Sequence, residues 1–290
     1  MSDPSGVGPR DRDARLSADS PASEQPAVPD VPDVPSVLGA FTQGDSSVLA
    51  VMIEAATDAR RAVEALPVEQ RRAKGPRPGQ YILDLHAERA AMEVLDRLEL
   101  SILSEEAGLI RRGDPSSMLI LDPIDGSTNC ARRIPYWATT IALVVDHRVR
   151  YGVTVNHPAG EIIVAALGAG AWRNGERLSV SDVTDPGRGV VATSGVPLGA
   201  VPFRQMRMMG SAALSMVEVA SGGIDGFVDT WGAHGIWDYA AGILICEEAG
   251  AVVADGEGRD LVVDDPAQRR RPVAAATREL WDSVAALKAY

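Results

Sequence analysis

The stretch that most constrains this chain is Met118-Leu119-Ile120-Leu121 running straight into Asp122-Pro123-Ile124-Asp125-Gly126-Ser127-Thr128-Asn129. The short apolar run predicts a buried strand. The strand must then enter a turn: Pro123 fixes φ, and Gly126 admits a conformation or a close approach that a Cβ would block. The turn carries two carboxylates three residues apart. With a backbone carbonyl between them they can face one hard cation, and Mg²⁺ takes oxygen ligands in octahedral array. The N–H groups around Gly126, Ser127 and Thr128, ahead of a helix start, would cradle an anion beside that cation. Taken alone, the stretch reads equally well as an Asx-rich turn capped by a hydroxyl.

Three further pieces follow the same logic with weaker signals. Ser104-Glu105-Glu106-Ala107-Gly108 comes directly after the apolar run at 101–103, and a charged pair there is ordinarily a solvated loop. Trp237-Asp238-Tyr239-Ala240-Ala241-Gly242 enters the apolar segment ILICEEAG. Asp238 at or near a helix N-cap is explained by capping, worth about 1 kcal/mol, or by a carboxylate kept ionised at a positive helix end and aimed at a metal. Met209-Gly210-Ser211-Ala212 is a glycine followed by a capping serine, a common structural feature.

Composition narrows the class. The chain has 290 residues, 46% apolar and 23% charged, with a net charge of −12. Such acidity leaves little clustered Lys and Arg for gripping phosphate backbones, so no nucleic-acid partner is expected. Two cysteines, Cys130 and Cys246, provide no disulfide framework and fit a cytoplasmic setting. No apolar run is long enough to span a bilayer, so no membrane partner is expected, and the N-terminus lacks the apolar core of a secretory signal.

Residues 1–46 hold seven prolines and a net charge of −5. They read as a disordered tail, because so little apolar surface cannot offset ordering entropy, and deleting residues 1–44 should leave stability almost unchanged. Helical spacing predicts helices over 47–66 and 85–98, with a basic Pro/Gly-rich loop at 67–80 between them. Strands are predicted at 101–103, 118–121, 161–166 and 190–194, and a hairpin over 138–146 and 149–156. Helices are predicted at 211–221, 238–249 and 277–288. Without strict βαβ alternation this indicates a mixed α/β or α+β sandwich.

Together, in order and spacing, SEEAG, LDPIDGSTN and WDYAAG resemble the inositol monophosphatase family of Mg²⁺-dependent, lithium-sensitive phosphatases. That family carries Glu-Glu after a strand, then Asp-Pro-(Ile/Leu)-Asp-Gly-(Thr/Ser), then Trp-Asp-x-Ala-Ala-Gly heading a helix. The resemblance covers roughly residues 47–288. It implies a layered α-β-α-β-α sandwich, with the catalytic domain at 47–290 split into two sub-domains near 180–190. It implies that Glu105, Asp122 and the Ile124 carbonyl hold one Mg²⁺ and that Asp122, Asp125 and Asp238 hold a second. A third, weaker ion is left open at Glu105 with Asp84 or Glu88. In the family the segment before the second helix is Val-Thr-x-x-Asp; here it is Tyr81-Ile82-Leu83-Asp84, followed by Glu88.

Carried over in the same way, Ser127 with Glu105 orients the attacking water. Asp125 belongs to the catalytic set, and Gly126, Ser127 and Thr128 hold the phosphate. Gly210, Ser211, Ala212 and Asp229 lie where the family contacts the alcohol part of its substrate. His234 is a candidate substrate contact. Arg132, Arg133 and Arg207 are candidates for a second phosphate, with solvated surface roles as the default. The expected partner is a small-molecule phosphate ester, and a homodimer is left open.

The function implied is a phosphomonoesterase for a small polyol or sugar phosphate, inositol monophosphate first. Fructose-1,6-bisphosphate, histidinol phosphate and 3′-phosphoadenosine 5′-phosphate are the alternatives. A rival of another class is a non-catalytic regulator that binds phosphate ligands, supported by the altered 80–88 segment. An acidic Ca²⁺ module is disfavoured, since twelve-residue EF-hand spacing is missing.

Overall fold

A computed structural model describes residues 33–288. Its helices are α1 (Val34–Leu38), α2 (Gln43–Glu64), α3 (Val68–Arg71), α4 (Ile82–Leu95), α5 (Ser127–Arg132), α6 (Ala212–Ala220), α7 (Ala240–Ala249) and α8 (Arg278–Ala285). The first sheet runs from β1 (Ser101–Ser104), β2 (Gly108–Ile110) and β3 (Ser117–Asp125) through β4 (Ala138–Val145), β5 (Arg148–Asn156), β6 (Glu161–Ala166), β7 (Gly170–Arg173) and β8 (Glu176–Arg177). The second holds β9 (Val190–Ser194), β10 (Gln205–Arg207), β11 (Gly226–Asp229), β12 (Val252–Asp255) and β13 (Pro272–Ala275). Strand order is β2-β1-β3-β4-β5-β6-β7-β8 in one sheet and β10-β9-β11-β13-β12 in the other.

Alternating strand side chains sort the core into layers. Leu119 and Leu121 of β3, Ile141 of β4 and Val153 of β5 pack with Leu49, Met52, Ile53 and Ala56 of α2 and Leu83, Ala87 and Ala91 of α4. The opposite face of the same sheet, through Ile120 of β3, Ala142 of β4 and Ile163 of β6, meets Met216 of α6 and Ile243, Leu244 and Ile245 of α7, together with Ala192, Phe227 and Ala274 of the second sheet. Beyond that sheet, Val191, Val228 and Val273 pack on Leu280 and Val284 of α8. The order is α-β-α-β-α, as the resemblance implied. Because α7 lies between two sheets it is apolar nearly all round. It approaches closely where side chains are smallest: a Cβ on Gly152 of β5 would stand 3.0 Å from the Ala241 carbonyl oxygen.

Several predicted elements keep their bounds. The strands at 161–166 and 190–194 coincide with β6 and β9. The hairpin closes through Asp146 and His147, both left-handed (φ 48° and 61°), the geometry that matches strand twist in a two-residue turn. Others shift. α2 begins at Gln43, where the Thr42 side chain accepts from the Asp45 N–H, so the helix starts before residue 47. The loop expected at 67–80 contains α3.

The tail boundary also moves. Residues 1–32 lie outside the described residues, but 34–38 form α1, and Val37 and Leu38 are buried in the α2–α4 core. The apolar pair Val37-Leu38 was too short to register against seven prolines, yet burial against α2 is enough to fix it. Among the described residues no helix is long and apolar enough to cross a membrane.

Candidate metal centre and active site

In a regular strand, residues three apart point to opposite faces. The pairing of β3 with β4 breaks that rule where the chemistry requires it: Asp122 faces Thr140 and Asp125 faces Ala138, so β3 carries one extra residue at Asp122–Asp125. This bulge turns both carboxylates to one side. Asp238 joins them from the turn before α7, and one oxygen from each of the three lies within 4.8 Å of the others.

Each of these acids has one oxygen held by donors. Asp122 Oδ1 accepts from the Ile124 N–H at 2.9 Å. Asp125 Oδ2 accepts from the Ser211 hydroxyl at 2.5 Å and the Ala213 N–H at 2.7 Å. Asp238 Oδ2 accepts from the Gly235 N–H at 2.8 Å and pairs with His234 Nδ1 at 2.9 Å. The other oxygen of each makes no hydrogen bond among the described residues. Asp84, whose Oδ2 accepts from the Tyr81 N–H at 2.8 Å, has its Oδ1 buried without a partner. Glu105 follows β1, which runs parallel to β3, and its N–H donates to the Leu121 carbonyl at 3.2 Å.

The electrostatics are those of acids that cannot all ionise unaided. Burial, reinforced by Asp238, Glu106, Asp84 and Asp125, pushes Glu105 up to about 9. Burial raises Asp122 well above the usual carboxylate range, with Glu105 and Asp125 adding to it. Burial and Asp238 carry Asp125 to about 6, and burial carries Asp84 to about 6. A divalent cation removes that conflict. A hard-oxygen donor set, one free oxygen per acid and an orphaned buried carboxylate oxygen together fit Mg²⁺.

Gly126 has φ 92°, and a Cβ there would lie 3.1 Å from the Tyr136 carbonyl oxygen and 3.2 Å from that of Gly210. α5 starts at the next residue, so its first N–H groups lack intrahelical partners. The Ser127 hydroxyl donates to the Ile124 carbonyl at 2.9 Å. Thr128 Oγ1 lies 3.4 Å from the Tyr81 hydroxyl. Glu105, Asp84 and Ser127 open onto a cleft of about 450 Å³ whose walls include Arg77, Trp237 and Arg269.

The structure reassigns several sequence expectations. Asp238 does not cap α7: Tyr239 stands at that N-cap, and the Asp238 carboxylate bonds back to Gly235 and His234. Of the two third-ion candidates, Asp84 lines the cleft. Glu88 is taken up by the Ser104 hydroxyl and the Ala107 N–H at 2.7 Å, which fix the turn after β1.

Ser211 and Ala212 are buried rather than open to an alcohol, because the Ser211 hydroxyl bonds Asp125 and accepts from the Leu214 N–H. Gly210 stays exposed. Asp229 is buried and accepts from the N–H groups of Trp231, Ala233 and His234, so it orders its own loop. His234 is no open contact either, since its Nε2 lies 2.9 Å from Ser194 Oγ. Arg132, Arg133 and Arg207 do not line the cleft.

Sequence reasoning missed the cations that do. Arg77 and Gln80 both bond Glu106, and Arg269 lies over the Trp237 ring at 5.1 Å from its centroid. The basic run at 67–80 was a signal for Arg77; nothing in the sequence singled out Ser194 or Arg269.

The chain matches the inositol monophosphatase family over residues 42–288. It is 31% identical over 227 residues to a fructose-1,6-bisphosphatase/inositol-1-monophosphatase of Archaeoglobus fulgidus, covering 75% of this chain and 88% of that one. It is 35% identical over 193 residues to the Nus factor SuhB of Pasteurella multocida, covering 61% of this chain and 71% of that one. The crystal structure of the extragenic suppressor protein suhB from Bartonella henselae superposes with a TM-score of 0.72 at 29% identity, over 82% of this chain and 97% of that one. A match over residues 42–288, with the acidic turn, the Glu-Glu turn and the Trp-Asp turn converging on one cleft, identifies the chain as a member of the inositol monophosphatase family.

Proposed function

We propose that the protein is a Mg²⁺-dependent phosphomonoesterase acting on a small polyol or sugar phosphate, inositol monophosphate first among them. The observation that carries this reading is the cluster of Asp122, Asp125 and Asp238, each with one oxygen fixed by donors and the other left for a cation. In this reading Glu105, Asp122 and the Ile124 carbonyl hold one ion, Asp122, Asp125 and Asp238 a second, and Asp84 with Glu105 a weaker third. Bound Mg²⁺ supplies Lewis acidity, lowering the pKa of water toward neutrality and offsetting charge on phosphoryl oxygens.

The remaining work falls to the chain. Ser127, whose hydroxyl donates to the Ile124 carbonyl, orients a water that donates to its oxygen, with Glu105 and Asp84 on the same wall. The N–H groups of Gly126, Ser127 and Thr128 receive the phosphate, and the left-handed glycine keeps that approach clear. Arg77 and Arg269 at the cleft offset the negative field that the acids present to an anionic ester. Lithium sensitivity is expected with the family chemistry. The catalytic body is assigned to residues 34–288 in two halves parted between β8 and β9. Buried free thiols at Cys130 and Cys246 support a reducing, cytoplasmic setting.

Likeness to a Nus factor supports a second reading, in which the fold binds a partner without turnover. A phosphate-release screen over about a dozen inositol, sugar and nucleotide phosphates separates the two, because pocket contacts set substrate choice. Turnover of an inositol or sugar monophosphate supports the first. No release from any ester at saturating Mg²⁺ supports the second.

A further inference from the structure

Asp238 differs from its two neighbours in what holds it. Asp122 is fixed by its own turn, and Asp125 by the start of α6. Asp238 Oδ2 receives a backbone N–H from Gly235 at 2.8 Å and faces the His234 imidazole, with Nδ1 at 2.9 Å. Two further groups meet that imidazole, and the backbone that carries it is itself tied down. Ser194, the last residue of β9, places Oγ 2.9 Å from Nε2. The His234 N–H donates to Asp229 Oδ2 at 3.2 Å, and the ring lies against Phe227 with centroids 6.4 Å apart.

We infer that His234, oriented by Ser194, is a positioning residue for the cation bound through Asp238. Its Nδ1–H pins Asp238 Oδ2, which leaves Oδ1, free of hydrogen bonds among the described residues, for the cation. The inference rests on the metal reading proposed above. It does not depend on the charge of the ring. An ionised carboxylate only accepts, so Nδ1 carries a hydrogen in either state. Ser194 can donate to Nε2 of the neutral ring or accept from that of the cation. Partners of this kind orient a ligand oxygen and raise its basicity, and their loss typically costs about 10–100-fold in metal affinity.

The test is calorimetric titration of Mg²⁺ into the full chain. His234→Ala is expected to weaken binding of one ion by about 10–100-fold. His234→Asn, whose side-chain amide keeps an N–H near the Nδ1 position, is expected to recover most of that loss. Ser194→Ala should fall between His234→Ala and wild type. A role in packing alone would leave Asn as damaging as Ala, and that result, or wild-type affinity in His234→Ala, overturns the inference. If His234→Ala does not fold, the Asn and Ser variants decide: wild-type affinity in Ser194→Ala together with weakened binding in His234→Asn overturns it. If the wild-type chain binds no Mg²⁺, the metal reading falls first and takes this inference with it, a result visible before any variant is made.

Discussion

Removing divalent cations should make the protein lose stability as pH rises from 7.0 to 8.5. Glu105 is the source: its ordinary value is 4.5, and burial among acids lifts it to about 9. Between those values the unfolded chain has released the proton and the folded chain still holds it. The unfolded state therefore binds fewer protons, and stability falls with rising pH. Each pH unit in that window costs about 1.4 kcal/mol per group. His234, raised from 6.5 to about 9 chiefly by Asp238 against the opposing effect of burial, adds a loss of the same sign above pH 6.5.

His157, whose buried ring is depressed to about 3, acts only below pH 6.5, where stability is lost as pH falls toward 3. It therefore does not enter this range. Two groups over 1.5 pH units give a loss of about 4 kcal/mol. For a body of this size that is a melting temperature lower by about 8–16 °C. Differential scanning calorimetry in chelator, with buffers matched for ionic strength, reads it directly. Saturating Mg²⁺ favours the ionised carboxylate and should flatten the slope, so stabilisation by Mg²⁺ grows with pH. A melting temperature in chelator that is flat or rises from pH 7.0 to 8.5 would refute the assignment of a buried, cation-requiring acid cluster.

Asp122→Asn and Asp238→Asn should each lower kcat by orders of magnitude at saturating Mg²⁺, because the amide keeps shape and loses charge. In chelator the melting temperature of Asp122→Asn should match or exceed wild type, since a strained buried acid is gone. Gly126→Ala should destabilise by about 1–3 kcal/mol in urea unfolding, from left-handed backbone strain and the 3.1 Å contact with the Tyr136 carbonyl. Deleting residues 1–32 should leave melting unchanged. Deleting 1–44 removes Val37 and Leu38 from the core and should cost about 3–5 kcal/mol; equal melting of the two truncations would place α1 outside the folded body.

The residues that carry chemistry were legible where a local pattern enforces them. Apolar strand, proline, glycine and two acids at fixed spacing mark the Asp122–Asp125 turn without help from the rest of the chain. What the sequence did not show was why the spacing works: the bulge exists only in the pairing of β3 with β4. Ser211 looked like an ordinary cap, and in the fold it is also the donor that fixes Asp125. Glu88 and Asp84 sit one helical turn apart and read alike, and only tertiary packing sends one to the cleft and the other to the Ser104 turn. The strands β10–β13 escaped notice because three- and four-residue segments carry little periodicity of their own. Their stability comes from pairing with distant strands and from α7 and α8.

The most direct test is phosphate release from inositol 1-phosphate by the full chain, measured in chelator and again after restoring Mg²⁺, with Asp122→Asn alongside. Turnover should be absent in chelator, return with Mg²⁺ in the wild-type protein, and fail to return in the variant. Equal turnover in chelator and in Mg²⁺, or full recovery in Asp122→Asn, would contradict a reaction that depends on a cation held by these acids.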